Sequence, residues 1–266
     1  MMTVTTGTKT AEVESADARL PLFYERPEIL DSGRHGTIAL QPLTDFGFAR
    51  KTNSLPVTAE EFFEMAGHYP IVFVPGAEAA PVVVIGLGGD HNLFVEADGR
   101  WAQGHPVPAY VRRYPFILFE PKGGERLPLC VDMAAGVIGE KAEGGEGEPL
   151  FDGAGPTAVA KHALAFCEDY QRQIVATRAL SAALMEADLL VERKITIAAG
   201  AGGRHEMVGL LIVDEEKFNA LPDDTVLAWR RNGYLAAVYA HLLSMRRWPD
   251  LALRFEGTVA KPATTN

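Results

Sequence analysis

Cysteine is nearly absent from this chain. Cys130 and Cys167 are the whole complement in 266 residues, too few for a disulfide framework. They fit a reducing compartment, where both would act as small, inert core residues. Cations are short as well, with 25 Lys and Arg against 35 Asp and Glu and a formal net charge of −10. A phosphate-backbone binder needs clustered Lys and Arg, so no nucleic-acid partner is expected. No stretch approaches the roughly 20 apolar residues of a membrane-spanning helix. Residues 1–20 have neither the basic start nor the apolar run of a secretory signal, so the expected location is the cytoplasm.

Several chemistries lack their residues too. Gly86-Leu87-Gly88-Gly89-Asp90-His91 follows an apolar strand, but a dinucleotide fingerprint needs glycine at the sixth place, where His91 stands. The run from Asn92 to Val95 then reads as strand, so the glycines read as a tight turn. No Gly-Lys-Ser/Thr loop is present to cradle a phosphate. The seven histidines, His35, His68, His91, His105, His162, His205 and His241, never pair at the spacing that puts two imidazoles on one helical face. None of the five serines lies in a Gly-x-Ser-x-Gly turn. No cofactor and no metal is expected. Asp90, His91 and Asp132 remain a candidate acid–base set, because a polar pair directly follows a buried strand.

What is present suits a globular protein: 47% apolar and 23% charged residues. Thr58 and Glu61 form a capping box ahead of Phe62, Phe63 and Met65. Residues 71–74 and 81–85 are apolar runs around Pro75-Gly76, which predicts a hairpin covered on both faces. Residues 93–101 predict a second hairpin, with Asp98-Gly99 suited to a type I′ turn. A third pairs residues 116–120 with 127–132 around Gly123-Gly124. Residues 139–156 are polar and glycine-rich, readable as a surface loop or a sub-boundary. Then Val159, Ala163, Phe166, Tyr170, Ile174, Thr177, Leu180 and Leu184 recur every three or four residues, predicting a helix from Pro156-Thr157 to about residue 188. It would be about 45 Å long. A hairpin follows at 191–199 and 206–213, then helices capped by Asp214, started at Pro222 and broken at Gly233, the last reaching Arg247. The fold class is α+β: an antiparallel β-rich N-terminal half, a long central helix, and a C-terminal β-hairpin plus helices. Residues 20–259 form one domain, with loose tails at 1–19 and 260–266.

The densest polar-aromatic cluster is Asn92, Phe94, Trp101, Tyr110, Arg112 and Tyr114, accompanied by Asp98, His105 and Arg113. Aromatic rings and arginines anchor binding sites through large contact area and forked donors. Two readings stay open: a surface for a peptide, small molecule or protein partner, or rings packing the sheet beneath solvated arginines.

At these residues the chain resembles the bacterial SapC family. The resemblance rests on Asn92-Leu93-Phe94-Val95 with Asp98-Gly99-x-Trp101, and on Pro108-x-x-x-Arg112-x-Tyr114-Pro115-Phe116. It continues in Leu129-Cys130-Val131-Asp132, Gly147-Glu148-Pro149-Leu150-Phe151-Asp152 and Leu242-Leu243-Ser244-Met245. It supplies no catalytic residues. The family name implies a link to bacterial surface layers. Similarity to proteins encoded beside nutrient receptors and halogenases implies an accessory role in uptake or modification.

Overall fold

The computed structural model describes residues 20–89, 91–119, 127–140, 147–153, 155–199 and 203–259. Along the chain these are β1 (Pro27–Ile29), α1 (Ser32–His35), β2 (Ile38–Leu40), β3 (Ser54–Pro56), α2 (Phe62–Ala66), β4 (Ile71–Phe73) and β5 (Pro81–Val84). Next come α3 (Ala109–Arg112), β6 (Phe116–Leu118), β7 (Leu129–Asp132), β8 (Ile138–Glu140), β9 (Glu148–Pro149), β10 (Phe151–Asp152) and β11 (Gly155–Pro156). The remainder is α4 (Ala158–Glu186), β12 (Leu190–Ala199), β13 (Gly203–Val213), α5 (Glu215–Asn219), α6 (Asp223–Asn232), α7 (Tyr234–Ser244) and α8 (Trp248–Val259).

Strands β4 and β5 have no polar face to offer solvent, and every residue of both is buried. They pair antiparallel as neighbouring strands of a five-stranded sheet ordered β12-β13-β4-β5-β3. Separate antiparallel sheets run β1-β7-β6 and β8-β2-β9, and β10 pairs with β11. The fold is α+β. Hairpins form at β4-β5 and at β12-β13. Strands β6 and β7 pair as well, while Gly123-Gly124 and Gly200-Ala201-Gly202 lie outside the described residues. The described parts of 139–156 are short strand pieces, two of which, β8 and β9, flank β2.

The apolar stripe of α4 is buried or half-buried along its length, as its three-and-four spacing requires. Thr157 caps the start, its Oγ1 accepting from the Ala160 N–H, while its hydroxyl donates to the Pro149 carbonyl at 2.8 Å. At the far end Asp188 turns left-handed at φ 53°, and the Leu189 N–H returns to the Leu184 carbonyl at 3.0 Å. With 29 residues the helix is about 43 Å long. It packs on two apolar clusters. Ala160 and Cys167 join Ile38, Phe116, Val131 and Leu150, whereas Tyr170, Leu180 and Leu184 join the larger cluster with Phe62, Tyr69 and Phe73.

The C-terminal helices differ from expectation at their end. Gly233, at φ 79°, ends α6, and Asp214 caps α5 by accepting from Glu216 and Lys217. The last helix was expected to end at Arg247, yet a further helix, α8, follows from Trp248 with Pro249 in its first turn, where a missing N–H costs nothing.

Candidate functional site

The six residues singled out by composition divide into two groups. Asn92 is fully buried, its amide donating to the Ala49 carbonyl at 3.0 Å and its Oδ1 accepting from the Phe94 N–H at 2.8 Å. Phe94 and Trp101 lie in the main core, where the Trp101 indole donates to the Tyr69 hydroxyl at 3.1 Å. Arg254 of α8 covers Phe94 at 4.5 Å and donates to the Leu93 carbonyl at 2.6 Å. The hairpin around them is reduced to one bridge, Val95 with Trp101. Its turn is not type I′, because Gly99 alone takes positive φ (85°). The Gly99 N–H reaches the Glu96 carbonyl and the Glu96 N–H reaches that of Arg100, the three-residue loop with a glycine bulge.

Tyr110 and Tyr114 do gather, around Arg113, a companion residue of that cluster, together with Tyr24 and Tyr170, which the composition did not single out. Arg112 is exposed, its Nε–H turned back to the Val107 carbonyl at 2.9 Å. Arg113 points inward. Its guanidinium carbon lies 4.3 Å from the Tyr110 ring centre, 4.7 Å from that of Tyr170 and 5.7 Å from that of Tyr24. Tyr114 stacks on Phe48 at 4.3 Å and meets Tyr24 edge-on at 5.4 Å.

Backbone contacts from distant elements place this group. The Glu61 carboxylate of the capping box accepts from the Thr58 N–H at 3.0 Å and from the Ala109 N–H at 2.6 Å, so α2 holds the start of α3. Thr177 of α4 accepts from the Ala59 N–H at 2.8 Å, which fixes α4 to the same turn. Tyr24 donates to the Phe116 carbonyl at 2.6 Å, and the Asp132 carboxylate accepts from the Glu25, Arg26 and Ala134 N–H groups. Arg113, the residue after α3, is thereby set beneath Tyr170 of α4 and beside Tyr24.

Arg113 carries a fixed charge and has no carboxylate partner among the described residues, and its Nε is buried without a hydrogen bond. The Tyr170 hydroxyl is likewise buried without a partner. Burial pushes the hydroxyls of Tyr24, Tyr110 and Tyr170 above their ordinary value, with the Arg113 charge opposing the rise, so all three stay protonated at neutral pH. Two cavities open on Arg113. One of about 300 Å³ is lined by Tyr110, Tyr170, Val57, Pro81, Ile174 and Ser181 among others. Another of about 420 Å³ is lined by Arg112, Tyr114, His162 and Phe166. A third, about 620 Å³, lies on the far side of Tyr24 and Tyr114, walled by Phe23 and Phe48.

The acid–base set has a different setting. Asp90 lies outside the described residues, and His91 is exposed and lines none of these cavities. Asp132 is fully buried, its oxygens already engaged by three backbone N–H groups and, at 3.4 Å, by the Tyr114 hydroxyl. The glycine run before His91 is a turn whose backbone passes close by: a Cβ on Gly86 would meet the His91 carbonyl oxygen. Burial pushes the Cys130 thiol up to about 11 and the Cys167 thiol up to about 12, which leaves both protonated and unreactive at neutral pH.

Sequence reasoning had marked Arg113 only as a companion of Arg112 and gave no sign that Tyr24 and Tyr170 join it. The one available signal was the α4 stripe, which turned Tyr170 inward. Among the described residues no helix is long and apolar enough to cross a membrane. Compared with known proteins, residues 30–251 match the model of the SapC family. No curated protein and no solved structure matches the chain.

Proposed function

The chain belongs to the SapC family, and from that premise we propose a non-catalytic binding or accessory protein whose ligand site is the cleft around Arg113. One observation carries this reading: a half-buried guanidinium sits among three tyrosine rings with no counter-charge among the described residues, where two cavities meet. Leaving such a charge unpaired costs stability, which a ligand returns when it supplies the missing partner. The aromatic walls give contact area, and the fork of Arg113 gives orientation. A role as companion to nutrient uptake or surface assembly, with the protein working from the cytoplasm, is part of the same reading.

The test uses the full chain and its Arg113→Met variant, each equilibrated with a small-molecule extract of cells and analysed by native mass spectrometry. Wild type should retain ligands that the folded variant loses. Equal retention by both, or none by either, would refute the site; turnover of a retained compound would refute the non-catalytic part.

A further inference from the structure

We infer that the group received at Arg113 is a carboxylate borne by a small apolar acid, seated in the 300 Å³ cavity between α3 and α4; the inference rests on the binding reading above and names its ligand class. Charge comes first. Besides Arg113, the charged residues lining this cavity are Glu78 and Arg178, and these two pair with each other at 3.0 Å. Arg113 therefore leaves one uncompensated positive charge, which suits a monoanion better than a phosphate dianion.

Donors come second. The ring faces of Tyr110, Tyr170 and Tyr24 attract the Arg113 charge, but they do not replace the hydrogen bond that its Nε–H lacks. The Tyr170 hydroxyl lacks one as well. The other hydroxyls on the wall are committed, Tyr110 to the Leu22 carbonyl at 3.1 Å, Thr177 to that of Gln173 at 2.7 Å and Ser181 to that of Ala79 at 3.0 Å. Arg113 lines the cavity with its donors in a fixed fork, and a group that accepts at two oxygens and donates nothing matches that fork, which is what a carboxylate does. The rest of the ligand meets Val57, Pro81 and Ile174, so its body is apolar. The volume sits at the small end of the range for small-molecule sites, about 300 Å³, which limits that body to the size of one ring or a short chain.

The experiment titrates the full chain with benzoate, its neutral counterpart benzamide, and inorganic phosphate, followed by NMR of the arginine Nε–Hε signals. Because the Arg113 signal reports the site in wild type, the result stands even where a variant unfolds. Benzoate should shift that signal and bind at least about tenfold more tightly than benzamide, since a charge-assisted forked pair is lost with the amide. Arg113→Lys, which keeps the charge and loses the fork, should weaken benzoate by about tenfold. Equal binding of benzoate and benzamide overturns the inference. So does a shift of the Arg113 signal by phosphate alone, although that result leaves a binding site at Arg113 in place. If no probe moves the signal, the carboxylate assignment is wrong, and the extract experiment decides separately whether the cleft binds anything else.

Discussion

Asp132 shows what a buried acid does when its work is structural. It gathers the N–H groups of Glu25, Arg26 and Ala134, the first two more than a hundred residues away in sequence. Asp132→Ala would leave those three donors without acceptors, and we expect a loss of about 3 kcal/mol in urea unfolding. His241 is the other informative single residue. It is fully buried, its Nε2 accepts from the Val213 N–H at 3.0 Å, and burial lowers its pKa to about 4. In the unfolded chain it titrates near 6.5, so between these values the unfolded state binds the extra proton. The stabilising contribution is whole above about 6.5 and is lost as pH falls towards 4. From about pH 7 to about pH 5 the loss should reach roughly 2 kcal/mol. His241→Gln keeps an acceptor and removes the titration, so its stability should change less over that span; an identical pH dependence in both proteins would rule His241 out as the source. Neither role was legible in the sequence, because both partners come from other elements. Nor could composition separate Arg112 from Arg113, neighbours at the end of a helix too short to show a phase.

At the scale of elements, α4 was the most legible part of the chain, since eight apolar or small residues at three-and-four spacing admit one buried face. Its energetics turn on two threonines. Thr177→Val should cost about 1–3 kcal/mol in thermal or urea unfolding, because the Ala59 N–H loses the acceptor that ties α4 to the capping turn before α2. Thr157→Ala should cost about 1 kcal/mol by removing the cap. The paired strands were legible from their apolar runs. What escaped was set by backbone detail: the glycine-bulge turn at Gly99 replaced a type I′ turn, and α8, with Pro249 in its first turn, follows directly on Arg247, where the last helix was expected to end. The strand pieces between residues 138 and 156 escaped because runs of two or three residues carry no periodicity to detect.

At the scale of the molecule, α4 belongs to both major apolar clusters, so neither cluster can lose it alone. All three tryptophans, Trp101, Trp229 and Trp248, lie in the larger cluster, and the smaller one has none. Tryptophan fluorescence therefore reports one cluster and far-ultraviolet circular dichroism reports both. We expect their urea transitions to coincide; two separated midpoints would show that the clusters unfold independently. The larger cluster is closed by α8, whose Trp248, Leu251 and Ala252 pack into it while Arg254 reaches back to Leu93. A nascent chain released from the ribosome only as far as Ser244 already holds most of that core but not its cover. Until the next dozen residues emerge, apolar surface meant for Trp248 and Leu251 faces water, so chaperone engagement or aggregation is most to be expected in that interval of synthesis.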